Sequence, residues 1–106
     1  MDIFSQELAA LLTAPDPPHL LDVREPEEHS LAALPNAKLI PLGQLAGRAH
    51  ELLAWKEQDI VVYCHHGIRS LHAIHLLRPL GFARLSNLAG GIDAWSREVD
   101  PNVPRY

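Results

Sequence analysis

At 106 residues and 11.8 kDa the chain has room for one hydrophobic core and not for two. Its 47% hydrophobic and 21% charged residues are globular usage, which excludes a disordered or fibrous chain. A net charge of −4, with no block of Lys or Arg, argues against a nucleic-acid partner, because phosphate neutralisation dominates such binding.

The N-terminus, M-D-I-F-S-Q-E, carries an acid where a signal peptide is positive. No run approaches the ~18 apolar residues of a membrane span, so a cytoplasmic protein without a membrane partner is expected. Ser5 is placed to cap a short helix with Leu8, Leu11 and Leu12 at helical spacing. The prolines of A-P-D-P-P, residues 14–18, stop it. His19 to Val23 is short and apolar, the pattern of a buried strand. Pro26 suits the first turn of a brief helix, with Glu27 and Glu28 at its positive end. Pro35 and Asn36 turn the chain into a strand at Lys38 to Ile40.

Leu45, Ala49, Leu52 and Leu53 keep the i, i+4, i+7, i+8 pattern of one amphipathic helix. Ile60 to Tyr63, I-V-V-Y, is the clearest strand, and its β-branched run suits a central position covered on both faces. A helix is expected from about Arg69 or Ser70 to Arg78, where Pro79 ends or kinks it. Gly81 fits a left-handed turn, Ala83 to Ser86 a last strand, and Gly90 and Gly91 a tight turn into a helix, Ile92 to Glu98. The whole, residues 1–106, reads as a single α/β domain, with 98–106 an extended tail. Strands alternating with helices predict a central, mostly parallel sheet of four to five short strands with helices on both faces. Ligands of such sheets bind beyond the carboxyl ends of the strands, which directs attention to the stretch after Tyr63.

That stretch is V-V-Y-C-H-H-G-I-R-S, Val61 to Ser70, and it holds the only cysteine. One cysteine excludes an intramolecular disulfide and a zinc site built of cysteines alone. Three features favour a thiolate at Cys64. The following helix directs unpaired N–H groups and its positive dipole end at the loop. Arg69 adds a permanent planar cation. Gly67 lets the loop curl with its N–H groups inward. Such surroundings lower a thiol pKa and would also cradle a small anion beside the sulfur. His65 and His66 are expected to add partial positive charge there. They project from a curled loop, and a zinc site needs about four converging ligands, so no metal is expected; His72 and His75 read as surface or packing residues.

Four motifs in order make the sequence resemble the rhodanese-like sulfurtransferases. They are L-L-D-V-R-E-P-E-E-H (Leu20 to His29), L-P-N-A-K-L-I-P-L (Leu34 to Leu42), the Cys64 loop and N-L-A-G-G-I-D-A-W (Asn87 to Trp95). The resemblance implies an α/β fold and no cofactor, with Cys64 as nucleophile taking sulfane sulfur from a small anion such as thiosulfate. The persulfide would pass its sulfur to cyanide, a thiol or a sulfur-carrier protein. It implies a substrate-binding role for His65, His66, Gly67, Ile68 and Arg69. Cys64 to Arg69 spans six residues, the length that in this family goes with sulfur substrates; phosphatases and arsenate reductases of this fold have a longer loop. Asp22 and Arg24 match its D-V-R motif, where the resemblance implies a structural and electrostatic role near the loop; on their own residue types they read first as a buried ion pair that holds the fold. Gly90, Gly91 and Trp95 serve the turn and the core. The last residues also resemble the end of domains fused to adenylating enzymes, which keeps open a persulfide relay with little free turnover.

Overall fold

The computed structural model describes residues 1–106. Its strands are β1 (Asp2–Ile3), β2 (His19–Asp22), β3 (Lys38–Leu39), β4 (Ile60–Tyr63) and β5 (Leu85–Leu88). They form one sheet in the order β1-β5-β4-β2-β3, parallel throughout, as the alternation of elements predicts. The helices are α1 (Ser5–Leu12), α2 (Pro26–Leu31), α3 (Leu42–Arg48), α4 (Ile68–Leu77) and α5 (Gly91–Glu98). The helices α1 and α5 cover one face of the sheet, α3 and α4 the other.

Strand period decides which core each residue joins. Ile60 and Val62 face α3 and α4, among Leu45, Ile74 and Leu77, whereas Val61 and Tyr63 face α1 and α5, among Leu8, Ile92 and Trp95. Cys64 continues the alternation and leaves β4 on the α4 side. That single step places the sulfur at the first turn of α4 and sends the Tyr63 hydroxyl to the opposite face.

Several expectations shift. Ser5 does not cap α1: Phe4 is the capping residue, its backbone N–H bonded to Glu7 Oε1 at 3.1 Å, and the Ser5 hydroxyl is buried without a partner. The helix expected through Leu53 ends at Arg48 and tightens into a 3-10 stretch, Ala49–Trp55. With three residues per turn, Ala49, Leu52 and Trp55 align on the core while Leu53 turns out, 58% exposed. The last long strand lies two residues later than expected, since polar Asn87 pairs in the sheet beside Val62. The two-residue β1 carries no periodicity to read and is held by Asn87 N–H on Met1 O and Ala89 N–H on Ile3 O. The helix before Pro79 ends at Leu77, and the proline sits in a 3-10 turn closed by Gly81 at φ +98°.

The tail is not extended. It leaves α5 through turns, lays Val103 against the α1–α5 core and brings Tyr106 back over the carboxyl ends of the strands. No helix is long and apolar enough to cross a membrane. A cavity of about 750 Å³ opens at the other end of the sheet, lined by polar residues such as Asp16, Glu57 and Asp59, far from the cysteine.

Candidate active site

Cys64 is 1% exposed, wrapped by the loop that follows it. Gly67 adopts φ +105°, the left-handed conformation that a side chain disfavours, and so turns the chain into α4. The peptides of the loop are sorted by this curl. The carbonyls of Cys64 and His65 point away from the sulfur and accept the first N–H groups of α5, Ile92 at 3.0 Å and Asp93 at 3.1 Å. The N–H groups of Gly67 and Ser70 point inward, at 3.1 and 3.4 Å from Sγ. Burial by itself pushes the thiol up; the Ser70 hydroxyl and the amides of Ser70, Gly67 and His66 outweigh it and hold the pKa below the ordinary thiol value.

Arg69 is near the loop but committed. Both its terminal nitrogens meet Glu28, at 2.6 and 3.0 Å, and they hold that carboxyl at about 2. Glu28 also accepts the Glu25 N–H at 3.0 Å, closing the first turn of α2, so its sequence reading as a helix-start acid covers half of what it does. Tyr106 donates its hydroxyl to Glu28 Oε2 at 2.8 Å and accepts Arg24 at 2.7 Å.

Asp22 and Arg24 form a fully buried ion pair, with Nε and Nη2 of Arg24 at 2.9 and 2.7 Å from the two carboxylate oxygens. His29 Nδ1 and the Tyr63 hydroxyl complete the carboxylate's shell at 2.8 and 3.1 Å. Arg24 also donates to the Ala32 carbonyl at 2.6 Å. The buried ion pair read from the D-V-R motif is present. The pair holds the β2–α2 connection, and through Tyr106 and Glu28 it reaches Arg69.

The two loop histidines part ways. The His65 ring is stacked between His66, 3.9 Å between centroids, and Tyr106, at 4.0 Å and 10° between planes. Burial and the neighbouring His66 hold its pKa below the ordinary histidine value, so at neutral pH it does not supply the positive charge expected of it. His66 is exposed and faces Asp93 at 4.0 Å. His65, His66 and Asp93 offer atoms within 4.8 Å of one another, a spacing that metals use. Arg97 and Arg105 already donate to the two oxygens of Asp93, at 3.1 and 3.2 Å, so its charge is spent on two guanidiniums. His72 and His75 lie exposed on α4, and Ile68 is 69% exposed at its start.

Ser70, Asn87, Glu28 and Tyr106 are partners that the sequence reading did not assign to the site. Ser70 directly follows Arg69, and its place on the first inward turn of α4 was the available signal. The others arrive from β5, α2 and the tail, and only the fold brings them together.

Residues 4–98 match the rhodanese-like domain family, and the chain belongs to it. It is 38% identical over 110 residues to the chloroplastic rhodanese-like/PpiC domain-containing protein 12 of Arabidopsis thaliana, covering 99% of this chain and 37% of that protein. It is 39% identical to the adenylyltransferase and sulfurtransferase uba4 of Ogataea parapolymorpha, covering 90% of this chain and 24% of that one. A sulfurtransferase of Allochromatium vinosum is 35% identical and is covered over 94% of its length. The chain thus spans 24–37% of the first two relatives and nearly all of the third. Among solved structures, a rhodanese-like domain protein from Staphylococcus aureus superposes with a TM-score of 0.84 at 29% identity, covering 100% and 99% of the two chains. The human single-domain sulfurtransferase TSTD1 superposes at 0.79 and 28% identity, covering 92% and 96%.

Proposed function

We propose that the protein is a thiosulfate sulfurtransferase working through a persulfide on Cys64. The observation that carries this reading is the sulfur itself, buried at the start of α4 with the Gly67 and Ser70 amides turned onto it. The thiolate attacks the outer sulfur of thiosulfate, forming a Cys64 S–S bond, and sulfite leaves with the electron pair of the old bond. The inward amides stabilise the negative charge before and after transfer. A nucleophile such as cyanide then takes the outer sulfur as thiocyanate and returns the thiolate. Gly67, Ile68, His65 and His66 form the wall of the loop, and Arg69, in the first turn of α4, is the cation we assign to the departing sulfite. A cytoplasmic setting suits a lone thiol kept reduced.

Intact mass spectrometry tests this directly. Thiosulfate should add about 32 Da and cyanide should remove it, both events vanishing in Cys64→Ser. Undiminished thiosulfate:cyanide turnover in that variant would sink the proposal. Aryl phosphatase activity should stay at background, as the six-residue loop implies.

A second reading is favoured by relatives named as joined adenylyltransferases and sulfurtransferases. On it the acceptor is a sulfur-carrier protein or thiol, and turnover with cyanide is slow. Fast loss of the added sulfur to a protein acceptor, set against slow thiocyanate release, separates the two.

A further inference from the structure

The Gly67 and Ser70 amides that face Cys64 must be held in place by their own neighbours. Both lead to one side chain on β5. Asn87 stands opposite Val62 in the sheet register, so its side chain shares the Cys64 face of the sheet. Its Nδ2 donates to the Gly67 carbonyl at 3.2 Å and lies 3.4 Å from Asp2 Oδ1. With acceptors on that nitrogen, the amide has one sensible orientation, and Oδ1 accepts the Ser70 hydroxyl at 2.5 Å. The same hydroxyl lies 3.4 Å from Sγ.

Ser70 has a single hydroxyl hydrogen. While Asn87 holds it, the Ser70 oxygen is free to accept from the neutral thiol. Once Cys64 ionises, the sulfur has no hydrogen to give and takes donors only, from the Gly67 and Ser70 amides and from any turn of the Ser70 hydroxyl toward it. Asn87 touches neither sulfur nor substrate, yet one amide pins the Gly67 peptide in its left-handed turn and pins Ser70. We infer that Asn87 is the positioning residue of the thiolate cradle, fixing the Gly67 and Ser70 donors on Cys64 from the neighbouring strand. This rests on Cys64 being the reactive thiol of the proposed function.

The test reads the thiol and not the sulfur transfer, so the two ideas fail separately. The pH dependence of iodoacetamide alkylation gives the Cys64 pKa whether or not thiosulfate is a substrate. In Asn87→Ala the pKa should rise by roughly one unit, as expected for loosened hydrogen bonds, and alkylation at neutral pH should slow roughly five- to tenfold. The double variant of Asn87→Ala with Ser70→Ala should shift the pKa by an amount that differs from the sum of the single changes, because both act through one contact. Should Asn87→Ala fold poorly, the unmodified protein supplies the readout: the Asn87 side-chain amide resonances should titrate with the same midpoint as Cys64 alkylation. A thiol pKa unchanged in a folded Asn87→Ala, or amide resonances indifferent to thiol ionisation, overturns the assignment.

Discussion

Arg69 and Glu28 show how one contact changes the meaning of a residue. Alone in the sequence, Arg69 is a free cation beside a reactive thiol; in the fold its terminal donors rest on a carboxylate. Glu28 is ionised down to about pH 2, against an ordinary value of 4.5. A depressed folded pKa contributes stability above the ordinary value and loses it only as pH falls toward 2, so the pair is intact from about pH 5 to 8. Arg69→Ala should raise the Michaelis constant for thiosulfate more than it lowers turnover, by about 10- to 150-fold, the worth of a charge-assisted contact. It also strips Glu28 of its cation. Glu28→Gln should do the reverse and lower the Michaelis constant by about two- to fivefold, the scale of a partly exposed pair. Steady-state kinetics across that pH range check both, and an unchanged constant in Arg69→Ala would leave anion binding to the backbone amides.

At the scale of elements, the cradle depends on how α5 meets the loop. A Cβ on Gly91 would lie 2.3 Å from the His65 carbonyl oxygen and 2.5 Å from that of Cys64, at a backbone φ of +60°. Gly91→Ala should therefore cost more than about 2 kcal/mol by strain and overlap, and should slow Cys64 alkylation as the loop shifts. Gly47 is the control: a Cβ there meets nothing within 4 Å, so Gly47→Ala in α3 should stabilise by about 0.5–1 kcal/mol. Urea titration of both variants gives the two signs. Sequence patterning carried most of this level. The β4 strand, the Cys64 loop, the stop at Pro79 and the Gly90–Gly91 turn rest on local chemistry and were legible. The change of period at Ala49 was not, because Leu52 fits both a 3.6- and a 3.0-residue repeat and only the seat of Trp55 decides. The pairing of Asn87 and the docking of Tyr106 join residues far apart in the chain, where periodicity says nothing.

Across the whole molecule, the buried Asp22–Arg24 pair ties β2, α2 and the tail into one network. Arg24→Ala leaves Asp22 as an uncompensated buried charge and should cost about 3–5 kcal/mol in denaturant unfolding. Replacing Asp22 by Ala as well should cost less than the sum of the single changes, since the second removal relieves the first. The same network has a practical side. Tyr106 is wedged among Arg24, Glu28 and His65, so the C-terminal residue of the described chain stands at the edge of the Cys64 loop. An affinity tag or a neighbouring domain joined after Tyr106 starts beside that loop, and any pull on such a tether would be felt at Glu28 first. For immobilisation or fluorescent labelling, the exposed α3 surface around Gly43 and Gly47 offers an attachment point that leaves the chemistry undisturbed.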